Sequence, residues 1–172
     1  MNPFHYIFDK MYPLIRFIHE KIRRNLWFEE IIPQLWLGGA PTYARDYQFL
    51  VDNKLNAVIN IRAERVDDLE HYAQNDINHI QLKVYDTLPP PPHIIEEGVE
   101  FIKEQIDTGR TVLVHCAKGR SRSATLVAGY LMRYHNMSYD EAVALMKSKR
   151  KLTSLQSRHR RVLAKWQEEY SS

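Results

Sequence analysis

Residues 111–132 read TVLVHCAKGRSRSATLVAGYLM, and the order of residue types in this stretch decides the fold. Thr111 to Val114 form a β-branched, apolar run of the kind that is buried on both faces at the centre of a parallel sheet. From Ser123 to His135 the chain changes to residues that favour a helix. Between the two lies a short polar loop with Gly119 at its middle. Strand, tight loop and helix N-terminus in succession make an anion site, because unpaired amides and the positive end of the helix dipole meet there.

Cys116 opens that loop and is the chain's single cysteine; Arg122 closes it after five intervening residues. Seven residues from Cys116 to Arg122 let successive backbone amides face one point, while Gly119 permits a turn that a Cβ would hinder. The amides, the helix terminus and the Arg122 charge all favour thiolate over thiol. Such settings move a cysteine pKa from about 8.5 into a range of roughly 3.5 to 7.5, so Cys116 is expected to be an ionised nucleophile at neutral pH. The planar fork of Arg122 can hold two phosphate oxygens and stay with them as charge redistributes, which a lysine could not do. Ser123 is expected to hydrogen-bond the sulfur as a leaving group. His115, Ala117, Lys118, Gly119, Arg120 and Ser121 complete the expected binding loop, with His115 fixing it from behind. The competing reading is a buried free cysteine followed by a basic loop. That reading leaves unexplained why strand, Gly119, the Arg-Ser pair and a helical continuation occur together.

Working outward, short apolar runs alternate with helical patterns from Ile31 onward, which predicts an α/β fold: a central mixed, largely parallel sheet flanked by helices. The predicted strands are Leu35–Leu37, Ala57–Ile61, His79–Val84 and Thr111–Val114. Helices are predicted over Ile94–Asp107, with Val99, Ile102 and Ile106 on one face and Gly109 as a left-handed cap, and over Ser123–His135. A capping box of Ser138 with Glu141 starts another, and a last helix runs from about Ser154 to Tyr170. Pro89 to Pro92 read as a stiff loop and not a domain linker.

The run HCAKGRSRSATLVAGYLM resembles the active-site signature of the protein tyrosine phosphatase superfamily, in its small dual-specificity branch, over about Glu30 to Tyr170. GRSRSAT in the loop, LWLGGAP at 35–41 and the apolar-basic MYPLIRF at 11–17 extend the resemblance to the type that dephosphorylates phosphatidylglycerophosphate. The low-molecular-weight phosphatases fit less well, since they place the cysteine near the N-terminus. The resemblance implies that fold and a phosphocysteine intermediate, with no cofactor and no metal. It also implies an acid on a loop upstream of the cysteine, and Asp86 in VYDTLPPPP fits, catalysing first as acid and then as base. A turn cap is the plainer reading of Asp86; Asp67, Asp68 and Asp76 read as solvated charges. Gln156 lies where relatives carry a polar residue facing water, although their Pro-Asn-Gly pattern is missing. Lys118 and Arg120 are extra loop cations that would draw in an anion. Arg62, Glu64 and Arg65, at the carboxyl edge of a strand, are candidates for headgroup contact.

Two function classes then stand against each other: a phosphatase, and a catalytically dead module that binds phosphorylated ligands. Cys116 and Arg122 are both kept, which favours the enzyme. Its substrate is expected to be a phospholipid such as phosphatidylglycerophosphate, with phosphotyrosine, phosphoserine or phosphothreonine proteins as the alternative. The chain of 172 residues suits one catalytic domain, expected over 28–172, and its formal charge of +3 gives no argument for a nucleic-acid partner. A lone thiol excludes an internal disulfide and suits a reducing, intracellular compartment. In residues 1–27, Phe4, Ile7, Phe8, Met11, Leu14, Ile15, Ile18 and Ile22 recur at helical spacing among charges, which predicts an amphipathic helix interrupted at Pro13. Two readings are open for it: packing on the catalytic domain, or peripheral contact with an anionic membrane.

Overall fold

The structure, a computed structural model, describes residues 14, 16–18, 20 and 26–170. Among the residues described from 26 to 170, five strands and six helices follow in chain order: β1 (Phe28–Ile32), β2 (Leu35–Gly39), α1 (Ala44–Asp52), β3 (Leu55–Asn60), α2 (Leu69–Gln74), β4 (Asn78–Gln81), α3 (Pro92–Asp107), β5 (Thr111–Cys116), α4 (Arg122–Tyr134), α5 (Tyr139–Lys149) and α6 (Ser157–Tyr170). The sheet order is β1-β2-β5-β3-β4, antiparallel between β1 and β2 and parallel elsewhere. The apolar run at 111–114 is therefore the central strand, as its composition requires.

Alternation along the strands builds two cores. Val112 and Val114 of β5, Leu35 and Leu37 of β2 and Ala57 and Ile59 of β3 face the cluster formed with α3 to α6. Leu113, Val58 and Trp36 face the opposite cluster with Leu50 of α1 and Tyr72 of α2. Helix α4 is buried from Arg122 through Met132, and Gly129 lets it approach α3: a Cβ there would stand 3.0 Å from Val99 Cγ2. A helix buried all round cannot shift easily, so its N-terminus is a fixed platform for the loop before it.

Three differences from the predicted elements have physical causes. Strand β1 carries Glu29 and Glu30 in five residues, so its sequence lacks an apolar run; Glu29 is turned toward Arg150. The stretch predicted as strand to Val84 pairs only to Gln81. Leu82 and Val84 are apolar because they are buried, while Val84 N–H turns back to the Leu82 carbonyl at 3.1 Å. Helix α6 begins at Ser157, not Ser154, because the Ser154 amide donates to Arg120 O at 2.9 Å. Helices α1 and α2 add cover on the second face. The Ser138–Glu141 capping box and the positive φ of Gly109, 81°, are present as predicted.

Phe4, Ile7, Phe8, Met11, Ile15 and Ile22 of the expected amphipathic face lie outside the described residues. Among the described residues, Arg16 is 2% exposed: its guanidinium pairs with Asp46 and Glu20 and lies over the rings of Trp27 and Tyr43. Leu14 and Phe17 are exposed, and no described helix is long and apolar enough to cross a membrane.

Candidate active site

The loop from Cys116 to Arg122 joins the end of β5 to the start of α4. Register places Gly38 and Gly39 of β2 beside His115 and Cys116. Gly119 has φ +61°, and a Cβ on it would fall on the Gly38 carbonyl. Both facts demand glycine, the first because that region disfavours side chains and the second by contact. The paired glycines of LWLGGAP are thus part of the loop's bed.

Every carbonyl from 117 to 121 has an outside donor. Ala40 N–H donates to Ala117 O at 3.3 Å and Ser154 N–H to Arg120 O at 2.9 Å. Arg150 donates to Lys118 O at 2.8 Å and Gly119 O at 2.9 Å, and Ser121 O accepts Thr125 N–H and Oγ1–H, each at 2.8 Å. A peptide unit is planar with its C=O and N–H opposed, so anchoring these oxygens outward aims the amides of 118–122 the other way, into the loop. Arg150 is itself held: it is 0% exposed and donates to Trp27 O at 3.2 Å and to Glu29.

Cys116 Sγ accepts the Ser123 hydroxyl at 3.3 Å. Burial alone would raise this thiol. The Arg122 charge, the Ser123 hydroxyl and the amides of Ser123 and Arg120 outweigh it and bring the pKa down to about 7. The Arg122 guanidinium, 1% exposed, donates to Val84 O at 2.8 Å and to both oxygens of Glu64 at 2.9 and 2.8 Å, and stands 3.1 Å from Asp86 Oδ1. Asp86 is half-exposed on the wall of a cavity of about 290 Å³ that also contains Cys116, Ala117, Lys118, Arg120, Ser121, Arg122 and Gln156. A dented, cation-lined cavity with a thiolate at its floor and a carboxyl at its wall can accept a phosphate group, attack it and protonate what departs.

Some expected residues stand elsewhere. His115, expected among the binding residues, is 0% exposed behind the loop with Nε2 2.8 Å from Asp67, so its side chain cannot reach a ligand. Asp67 is not solvated: its side chain is 2% exposed and gathers His115, Arg62 at 2.6 Å and Tyr72 at 3.2 Å. Burial would raise its carboxyl, but His115 and Arg62 hold it below the usual carboxylate range. Arg62, once a headgroup candidate, is 6% exposed and committed to Asp67 and Asn60. Glu64 faces Arg122 instead of a headgroup. Asp68, which caps α2, and Asp76, which pairs with Arg110, are exposed as expected. Arg150 carried no signal in the sequence, being one of four basic residues between 147 and 151; Glu64 was marked by its place at a strand's carboxyl edge, but its partner is Arg122 and not a headgroup.

Comparison with known proteins follows the same lines. The model of the dual specificity phosphatase catalytic domain matches residues 35–169. The human phosphatidylglycerophosphatase and protein-tyrosine phosphatase 1 is 32% identical over 123 residues, which cover 68% of this chain and 61% of that protein, less than two thirds of its length. The mouse dual specificity protein phosphatase 2 is 32% identical over 128 residues, 73% of this chain and 38% of that one. The crystal structure of PTPMT1 in complex with PI(5)P superposes with a TM-score of 0.78 at 27% identity, covering 85% of this chain and 97% of that one.

Proposed function

The chain belongs to the dual specificity phosphatase family, whose members hydrolyse phosphoric monoesters, and from that premise we propose that it dephosphorylates a phospholipid headgroup such as phosphatidylglycerophosphate through a phosphocysteine at Cys116. One observation carries the chemistry: five loop carbonyls are anchored outward around a thiol whose pKa is about 7. A phosphate dianion in the loop would be met by inward amides and by the edge of the Arg122 guanidinium that here faces Asp86. The Cys116 thiolate then attacks phosphorus; the S–P bond forms as the ester P–O bond breaks, and Asp86 gives its proton to the departing oxygen. Phosphate on Arg122 would compete with Asp86 for the guanidinium and so turn the carboxyl toward that oxygen. Water next attacks the phosphocysteine, Asp86 takes its proton, and sulfur leaves as thiolate with the Ser123 hydroxyl donating to it. No step calls on a cofactor or metal.

The lipid substrate is supported by one relative, PTPMT1, which is named for phosphatidylglycerophosphate and whose crystal structure was solved with PI(5)P. The likeness to the mouse dual specificity phosphatase supports a phosphoprotein as the second reading. Phosphate release from phosphatidylglycerophosphate vesicles and from phosphotyrosine and phosphothreonine peptides, measured side by side, decides between them. A vesicle rate at least tenfold above the peptides is expected; peptide turnover in excess would transfer the assignment to phosphoproteins.

A further inference from the structure

Two residues lining the Cys116 cavity, Arg158 and His159, are not used by the mechanism. Arg158 and His159 lie in the first turn of α6, and both line the cavity together with Lys118, Arg120 and Arg122. His159 is 1% exposed; its Nδ1 accepts the Gln156 amide at 3.0 Å, so the single proton of the neutral ring sits on Nε2. Burial first, and then the Arg158 charge, lower the pKa of this ring, which keeps it neutral. That Nε2–H, and the Nε–H of Arg158, are buried without a hydrogen-bond partner among the described residues. A buried donor left unpaired costs free energy that the fold does not recover, and in native structures it calls for an explanation. The cavity lining also sets four cations, Lys118, Arg120, Arg122 and Arg158, against one carboxylate, Asp86. A single phosphate already has the loop amides and Arg122. The start of α6 adds the positive end of a helix of 14 residues to the same cavity.

We propose that Arg158 and His159 form a second anion subsite, and that the substrate is a phosphomonoester whose alcohol portion carries a second phosphate group, as diester or monoester. The cavity of about 290 Å³ is of a size for a small polar headgroup spanning both positions. The inference rests on the phosphatase reading for its catalytic consequence, but its binding consequence can be measured without turnover.

The test uses the full chain carrying Cys116→Ser and titration calorimetry with two ligands: glycerol 3-phosphate, with one phosphate, and glycerophosphoglycerophosphate, the deacylated headgroup, with a monoester and a diester. The two-phosphate ligand is expected to bind at least tenfold more tightly, and Arg158→Gln to reduce that advantage below threefold. His159→Gln, which offers an N–H near the same place, should keep more of it than His159→Phe. Arg158 is only half-buried, so Arg158→Gln is the variant that reports even if changes at His159 disturb folding. Equal affinity for the two ligands overturns the subsite, and so does an advantage that survives Arg158→Gln. Turnover by the otherwise unaltered enzyme separates the sources. A kcat/KM at least tenfold higher for phosphatidylglycerophosphate in phosphatidylcholine vesicles than for its deacylated headgroup marks a lipid, and parity marks a soluble polyol phosphate. In both cases Arg158→Gln should cost at least ten times more on these than on para-nitrophenyl phosphate. Failure of the enzyme on all three substrates refutes the phosphatase reading while the calorimetry still judges the subsite.

Discussion

With its pKa at about 7, the Cys116 thiol is about half ionised at neutral pH, and at pH 6 it holds about thirty times more thiolate than an ordinary cysteine near 8.5. The rate of inactivation by iodoacetate should therefore rise with pH through a midpoint of about 7. Ser123→Ala, which removes a donor to the sulfur, should move the midpoint upward; a midpoint at 8 or above in the unaltered protein would contradict the electrostatics of the loop. The role proposed for Asp86 has a different signature. Asp86→Ala should slow alkyl phosphate hydrolysis by about 10² to 10⁴, the usual worth of a general acid, and slow aryl esters much less because phenolates depart without a proton. Equal losses on both would remove Asp86 from that role. Cys116, Arg122 and Ser123 were legible in the sequence because the loop that joins them is contiguous. The pairings of Glu64, Asp67 and Arg150 were not, because their partners lie 58, 48 and 121 residues away in the chain. Charge at such positions looks solvated until the fold buries it.

Elements show the same division. The junction of β5 and α4 could be read directly, since burial on both faces forces an apolar strand and the anion site forces its loop. Strand β1 could not, because half of what it presents is Glu29 for Arg150, a need that arises only once the chain has folded. That pair makes α5's end a brace for the catalytic loop. Arg150→Met should leave Glu29 and two loop carbonyls without their partner and lower stability by about 3 to 5 kcal/mol, the cost of breaking a buried pair. It should also weaken vanadate binding by tenfold or more, as freed carbonyls let the peptides of 118–120 turn. Adding Glu29→Gln should restore part of the stability and none of the vanadate affinity. Native vanadate affinity in Arg150→Met would show that the loop holds its shape unaided.

For the molecule as a whole, the N-terminal segment is where two expectations meet. Arg16 sits against Asp46, Glu20 and Trp27, while Leu14 and Phe17 face outward. Arg16→Met is expected to lower the melting temperature by several degrees, since removing one member of a buried pair costs about 3 kcal/mol or more. Leu14→Ser with Phe17→Ser should leave that temperature within about a degree and reduce partition to anionic vesicles. An unchanged melting temperature in Arg16→Met would mean that this arginine does not dock the segment, and unchanged partition in the double variant would remove those two residues from any membrane contact. The brace at Arg150 carries a further consequence, in time. Its donors reach Trp27 O across 123 positions and Glu29 across 121, and contacts so distant in sequence close late because the intervening loop entropy must first be overcome. The catalytic loop should thus be the last part of the molecule to set, and a nascent chain should have no competent site until residue 150 has emerged from the ribosome. In refolding from urea, vanadate binding should return only with the slowest phase, in step with the burial of Trp27; recovery in an earlier phase would show that the loop organises before the ends of the chain have met.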